Sequence, residues 1–476
     1  MKRRDTLRLL PLSIAGLAGM AHDAFAQKPV PFGSGVYGDA ALIKKKQDHP
    51  KPLSVQYLHT VHDMLTWIRH TQSENLLEAS YAIARAVRNK ATCWYSWDMG
   101  HSTTYDIIPG RNGVPEIFTV GYDAKRTKDG DLFLANVWGG PHADLEKKDI
   151  LVIGAPAPWG GDARLAELLV RDSAKVRLRP YADIWIETNV TTLGAVMNVP
   201  GMPAPVGPVS GIIGMVTYWM MMADTCRILA RDGFSVPVRG DEPMLSGDGV
   251  EWAGLHEPLM DDYFERVIMQ IGMIEAELGN IRAIAKMAVD SVLSGGKVYC
   301  YSRYGASLSS EASTRRGGLA LTQGVDEQNG KLISGGGDFK GTAKDTVIMG
   351  IFSPDDAFDL KCLDQFRKAG MKTASIGPMT RDIKAPEGRA VPKETDIHVG
   401  RMCDTYGLYA FKGFERKVCP TSGAVQNQIF WAICMEIVEE MIRRTGNVPG
   451  VFYSAAIKNG TEHMNRMHEL YRERGY

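Results

Sequence analysis

The sequence predicts an α/β protein in which a doubly wound domain, a mainly parallel sheet covered by helices on both faces, occurs twice in tandem. Three observations predict it. Long amphipathic helical patterns alternate with short apolar runs rich in aromatic and β-branched residues. Those runs lead into glycine-containing loops, as buried strands of a parallel sheet do. The same landmarks then return in the same order about 205 residues later, Gly100 as Gly305 for example.

Length and charge bound the rest. The chain has 476 residues, 55 Lys+Arg against 55 Asp+Glu, a formal net charge of zero and 44% hydrophobic residues. That is enough for two or three domains with real cores. Clustered positive charge for gripping phosphate backbones is missing, which excludes nucleic acid as a partner class. The 50 Gly and 24 Pro oppose a coiled coil or a simple helical bundle.

Residues 1–26 have a basic start, an apolar stretch from Leu9 to Met20 and a small-x-small end at Ala24-Phe25-Ala26, the layout of a cleaved export signal. Arg3-Arg4 with Leu7 resembles the twin-arginine signal, which carries folded proteins across the bacterial inner membrane. The expectation is a periplasmic or secreted protein; an ordinary secretory signal or a retained anchor would share this layout. Residues 27–51 then read as a linker. No later segment reaches the roughly 18 apolar residues of a membrane helix, so no stable membrane span is expected after cleavage. The nearest, residues 211–223, is stopped by Asp224 and reads as a buried helix.

Domain 1 is assigned to residues 52–235. A helical pattern from Tyr57 to Val87 precedes the strand-like run 91–96 (ATCWYS) and a loop from Asp98 that carries Gly100, His101, Ser102, Arg111 and Gly113. After a linker at 236–257, domain 2 (258–447) repeats this with a helical pattern from Tyr263 to Val289, the run 297–302 (KVYCYS) and a loop carrying Gly305, Ser307, Arg316 and Gly318. The glycine-ended runs 149–154 (DILVIG) and 345–350 (DTVIMG) read as the next matched strands. Later, 207–211 (GPVSG) and 419–423 (CPTSG) each open an apolar helix, with Ser210 and Ser422 as start signals and Gly233 and Gly446 as stops. The run 334–338 (SGGGD) reads as a flexible loop, and residues 448–476 as a C-terminal tail. Seven scattered cysteines show neither C-x-x-C nor zinc spacing, and Cys93 and Cys300 fall inside apolar runs as small buried hydrophobes.

This order of landmarks, with Gly100-His101-Ser102, Arg111-Asn112-Gly113 and Gly207-Pro208-Val209-Ser210, resembles a tandem pair of SIS (sugar isomerase, phosphosugar-binding) domains. The resemblance covers residues 52–235 and 258–447. It implies two three-layer αβα domains, each with a five-stranded parallel sheet. It also implies Ser/Thr-rich turns that hold sugar phosphates, and an isomerase, sensor, lyase or hydrolase role, among which fold does not choose.

Ligands bind such sheets at the carboxyl ends of the strands. In domain 2, Ser307, Ser309 and Ser310 offer hydroxyls at a helix start, where free N–H groups favour anions, and Arg315 or Arg316 could hold a phosphate or carboxylate. In domain 1 the counterparts are His101, Ser102, Thr103, Thr104 and Arg111. Helix capping alone would explain one or two hydroxyls in each loop. Ser210 and Ser422 add a hydroxyl at each later helix start. The second hydroxyl turn that the resemblance implies is sparse: 155–162 (APAPWGGD) has none, 351–356 (IFSPDD) only Ser353, and both carry acids that repel phosphate. A neutral sugar or sugar acid therefore competes with a sugar phosphate, with Asp162, Asp355 and Asp356 as partners for hydroxyls and Trp159 as a stacking face.

For chemistry, Glu311 lies one turn after Ser307 and is the candidate base for proton transfer next to a carbonyl; His398 and His101 are candidate acid-base groups. A first-turn acid is also what the helix dipole alone favours, and a strand histidine is commonly held by a backbone partner. The tail residues Lys458, Glu462 and His463 could lie over the site, as the C-terminal tail does in the isomerase half of glucosamine-6-phosphate synthase. Motifs for nucleotides, metals or redox cofactors are absent, so neither a cofactor nor a metal is implied. The expectation is a sugar or sugar-derivative isomerase working by enediolate chemistry. The alternatives are a non-catalytic sugar or sugar-phosphate binder or sensor, and a sugar-derivative lyase. Homo-oligomerisation is compatible with either.

Overall fold

In a computed structural model of the chain the first helical pattern folds as one helix, α1 (Leu53–Arg88), which buries Tyr57, Leu58, Val61, Met64, Leu65, Ile68, Leu76 and Ile83 at three- and four-residue steps. The structure describes residues 51–96, 106–107, 112–135, 145, 147–155, 179–190, 194–201, 205–240, 244–245, 250–303, 308–312, 317–328, 331–335, 337–378, 388–401, 406–452 and 459–474. The export signal and linker proposed for residues 1–51 fall outside them, except Lys51.

Strands β1 (Cys93–Tyr95), β2 (Val114–Pro115), β3 (Phe118–Val120), β4 (Leu132–Ala135), β5 (Leu151–Gly154) and β6 (Ile184–Trp185) follow. A sheet of order β3-β1-β4-β5-β6 forms with every pairing parallel. The hairpin β7 (Ala195–Met197) and β8 (Val206–Pro208) leads into α2 (Ser210–Arg231), after which β9 (Val238–Arg239) pairs back with β2. The second helical pattern is divided: α3 (Met260–Ile274), a 3-10 turn at Glu275–Glu277, then α4 (Leu278–Leu293).

Next come β10 (Val298–Ser302), α5 (Leu308–Ala312), β11 (Thr322–Gln328), β12 (Lys331–Ser334), β13 (Gly337–Asp338) and β14 (Thr346–Gly350). The chain continues through α6 (Ala357–Lys368), β15 (Lys372–Pro378), α7 (Val391–Glu394), β16 (Ile397–Arg401), α8 (Ser422–Thr445) and α9 (Gly460–Arg474). The second sheet runs β13-β12-β11-β10-β14-β15-β16, parallel from β11 to β16. The run 334–338 is thus the tip of an antiparallel hairpin, β12 with β13, and not a free loop; Gly335 turns it with a φ of 60°. The α/β class and the parallel five-stranded sheet flanked by helices are therefore features of the structure.

The strand order corrects one expected match. Across from β1 lies β4, and across from β10 lies β14, so the counterpart of β14 is β4 and that of β5 is β15. The carboxylates at the strand starts agree. Asp131 accepts from Thr92 N at 2.9 Å and Lys128 N at 2.9 Å; Asp345 accepts from Lys297 N at 2.7 Å and Thr342 N at 2.7 Å. The runs 149–154 and 345–350 are consequently neighbours in topology by one strand, and the turn matching 351–356 begins at Asn136, outside the described residues.

α1 packs on α2 and α8, and α8 on α4. Both α2 and α8 are buried around almost their whole circumference, as helices at the centre of a large protein are. Ser210 and Ser422 are the first residues inside these helices; the capping positions are Val209 and Thr421, neither with a side-chain cap bond. Tyr57 Oη donates to Pro208 O at 2.6 Å and Tyr263 Oη to Pro420 O at 3.0 Å, one arrangement built twice. Among the described residues no helix is long and apolar enough to cross a membrane. Cys93, Cys226, Cys300, Cys362, Cys419 and Cys434 are all buried free thiols, and burial pushes that of Cys93 up to about 12.

Candidate functional site

The carboxyl ends of the second sheet gather most of the described candidate residues. Ser302 stands opposite Gly350, and Gly350 opposite Ile376, so β10 and β14 end at one level, beyond which β15 runs on to Pro378. Directly after β10, Arg303 pairs with Asp356 in the turn beyond β14, and its guanidinium lies 4.8 Å from the centre of the Phe358 ring. This ion pair ties the two expected ligand loops together. In the second turn Ser353 Oγ donates to Asp355 Oδ1 at 2.5 Å. Asp356 is also the N-cap of α6, accepting from Phe358 N at 2.8 Å and Asp359 N at 2.9 Å. Its carboxylate is thereby engaged in holding the turn.

Helix α5 sits on the same rim. Ser309 Oγ donates to Asp326 Oδ1 on β11 at 2.9 Å, while Ser310 is partly exposed. Glu311 is 1% exposed and accepts from Trp431 Nε1 of α8 at 3.1 Å. Its counterpart 205 residues earlier, Asp106, is fully buried and accepts from Trp219 Nε1 of α2 at 2.6 Å. The two carboxylate–indole bonds are the same device in both halves of the sequence.

α8 begins over these strand ends. Gln426 Nε2 donates to Ile376 O at 3.3 Å, and a Cβ on Gly350 would stand 2.6 Å from that nitrogen, so glycine there lets the amide lie against the strand end. Asp106 meets the first turn of α8 from the other side: its Oδ1 is 2.4 Å from where a Cβ of Gly423 would be. A carboxylate there is favoured by the helix dipole. It also places a negative charge of the chain's own where a phosphate at Ser422 would need a positive end.

His398 stands apart. It lies on β16, three strands from β10, about 14 Å at normal strand spacing. Its Nε2 donates to Pro378 O at 3.2 Å, which leaves Nδ1 to accept from Ser375 Oγ at 2.9 Å in the neutral ring. In the tail, His463 lies in the first turn of α9, and burial lowers its pKa. His101, Ser102, Thr103, Thr104, Arg111, Trp159, Asp162, Ser307, Arg315, Arg316 and Lys458 lie outside the described residues.

Two groups at this rim escaped the sequence reading. Asp359, in the first turn of α6, is 2% exposed and accepts from Tyr301 Oη at 3.0 Å. Burial, then the charge of Asp356, pushes its carboxyl up to about 7. Gln426, Asn427 and Gln428 are fully buried in α8; a run of three amides inside an otherwise apolar helix was the available signal. Among the described residues no three His, Cys, Asp or Glu side chains converge as a metal ion would need.

No protein-family model matches the sequence, and no curated protein does. Among solved structures, the chain is similar to the C-terminal domain of glucosamine-fructose-6-phosphate aminotransferase from Francisella tularensis, at 11% identity and a TM-score of 0.44, over 85% of this chain and 99% of that one. It is similar also to glucosamine-6-phosphate deaminase from Thermotoga maritima, at 10% identity and a TM-score of 0.41, over 85% of this chain and 98% of the other. Likeness at that level assigns no residue of this chain a role.

Proposed function

We propose that the chain binds a sugar or sugar derivative at the carboxyl ends of β10 and β14 and isomerises it between aldose and ketose forms, with Glu311 as the base. The observation that carries this reading is the placement of Glu311, buried in the first helix after β10 and oriented by an indole N–H. Isomerisation requires a base to take a proton from the carbon beside the carbonyl and return it to the neighbouring carbon, with a donor steadying the enediolate oxygen between the two steps. Glu311 would move the proton, Arg303 is the donor on the same rim, and Ser309, whose proton goes to Asp326, would accept from a sugar hydroxyl. Ring opening would fall to His101, with His398 as the second candidate. Ser102, Thr103, Thr104, Arg111, Ser210, Ser307, Ser310, Arg316, Ser353 and Ser422 complete the proposed ligand contacts.

A second reading, binding without turnover, is favoured by the Asp106–Trp219 bond, because a device present in both halves serves architecture as well as chemistry. Thermal shift against sugars, sugar acids and sugar phosphates, followed by an aldose–ketose assay on each stabilising compound, separates the two. The isomerase reading expects Glu311→Gln to keep the thermal shift and lose at least about 100-fold in turnover. Wild-type protein that is stabilised by a sugar and converts none of them is a binder.

The two-domain bounds 52–235 and 258–447 and the export role of residues 1–26 belong to the same proposal. Replacing Arg3→Lys and Arg4→Lys should leave precursor protein in the cytoplasm if the signal is of the twin-arginine type; unchanged export means an ordinary secretory signal.

A further inference from the structure

Ser302 and the amides of α8 have hydrogen-bonding capacity that the fold does not use. Ser302 ends β10, is 3% exposed, and its Oγ has no partner among the described residues. Gln426, 0% exposed, spends its Nε2 on Ile376 O and leaves Oε1 without a partner among those residues. Side chains alternate along a strand, and Tyr301 points into the cluster with Phe366 of α6, so Ser302 points to the opposite face, where α8 lies. Ser302 is in register with Gly350, the residue against which the Gln426 amide rests. The two groups therefore lie on one face at one level, beneath the rim formed by Arg303, Glu311 and Ser353.

The next two residues of α8 extend the pattern. Asn427 Oδ1 and both polar atoms of Gln428 are buried without partners among the described residues, and Asn427 Nδ2 reaches only Met215 Sδ, at 3.9 Å. The corresponding turn of α2, 212 residues earlier, is Gly214-Met215-Val216. A polar demand exists in α8 where the duplicate helix is apolar. A buried acceptor left unmatched costs stability, so amides here need a compensating partner.

We propose that Ser302 and Gln426 form an uncharged subsite that hydrogen-bonds hydroxyl groups of a neutral polyol part of the ligand. The inference rests on the sugar-binding reading and narrows it: a hydroxyl can donate to Gln426 Oε1 while accepting from Ser302 Oγ. Both protein groups are neutral, so the subsite recognises the sugar carbon chain and takes no part in holding a phosphate.

The test is thermal unfolding of the full chain, wild type against Ser302→Ala, Gln426→Met and the double variant, with D-glucose, D-fructose, D-sorbitol and glucose 6-phosphate as probes. Without sugar, Ser302→Ala should unfold at or above the wild-type midpoint, because only an unpaired buried polar atom has been removed; Gln426→Met also gives up its bond to Ile376 O and is compared with and without sugar in its own background. With saturating neutral sugar the wild type should gain roughly 2–4 °C, each single variant at most half of that, and the double variant none. A drop of more than about 5 °C in the sugar-free Ser302→Ala protein, which loses one oxygen only, means the atom serves the fold and overturns the subsite. A sugar shift that survives intact in the double variant, or a response to glucose 6-phosphate alone that the variants share, overturns the subsite and leaves sugar binding standing. If no probe shifts the wild type, the sugar-binding reading falls and takes the subsite with it.

Discussion

Asp359 lies where Tyr301 Oη donates to it and Asp356 sits one turn away, and burial raises its carboxyl from 3.8 to about 7. The sign of the consequence follows. The folded state holds this proton more tightly than the unfolded chain, so its stabilising effect is complete below about pH 4 and is lost as pH rises through about 7. Asp359→Asn mimics the protonated acid and still accepts from Tyr301. Against the variant, wild type should lose stability between pH 4 and pH 8, by up to about 4 kcal/mol. Urea midpoints at the two pH values check this; a constant difference between the proteins would show that Asp359 ionises normally. The indole bonds give a second expectation. Trp431→Phe takes the indole donor from the buried Glu311 and Trp219→Phe takes it from Asp106, each at about 1–3 kcal/mol in denaturant midpoint. A loss confined to one of them would break the equivalence of the two. Glu311 and Ser309 were legible because acid and hydroxyl types at a helix start follow a local rule. Asp359 was not, since its character comes from burial against Tyr301, 58 residues away in sequence.

At the scale of elements, the aspartates that open the strands set their positions. Asp345 accepts from Lys297 N, Thr342 N and Thr342 Oγ1, joining β10 to β14 at their starts; Asp131 joins β1 to β4 through Thr92 N, Lys128 N and Trp94 Nε1. Asp345→Ala would leave two backbone N–H groups, of Lys297 before β10 and Thr342 in the turn before β14, without this acceptor and should cost about 2–4 kcal/mol in urea unfolding, with Asp131→Ala in the same range. A neutral outcome would mean the strands are placed by their apolar faces alone. These residues also explain why the matching of strands could not be read from sequence. A run closing in glycine marks β5 and β14 alike, whereas β4 (Leu132–Ala135) has only four apolar residues and no closing glycine, so it gave no pattern to align. The long helices were readable because burial at three- and four-residue steps persists over many turns. The 3-10 turn at Glu275–Glu277 lies within such a pattern and leaves its periodicity largely intact.

For the molecule as a whole, the duplicated halves are joined through their interiors. Gly207 N donates to Gly317 O at 3.0 Å and Cys419 N to Gly113 O at 3.2 Å, so the loop from each half supports the helix start of the other. Ser54 Oγ donates to the Glu436 carboxylate, Arg69 pairs with Asp261, and Asp106 backs the first turn of α8. Lys51–Tyr476 is accordingly one compact unit. α8 is buried on all sides, partly by α1 and α2 of the first half, so residues 258–476 alone would expose apolar faces to water at about 25 cal/mol per Å². Expressed alone, that fragment should lack a cooperative thermal transition, and co-expression with residues 51–257 should restore one. The junction predicts a point variant as well. Gly317 has a φ of 79°, and a Cβ there would come within 2.5 Å of Ala195 Cβ across the junction. Gly317→Ala should therefore lower the midpoint of a single, still cooperative transition, by about 1–3 kcal/mol. A fragment 258–476 that folds sharply by itself, or a Gly317→Ala protein that melts in two separate steps, would show two domains merely touching, with ligand sites that work independently of one another.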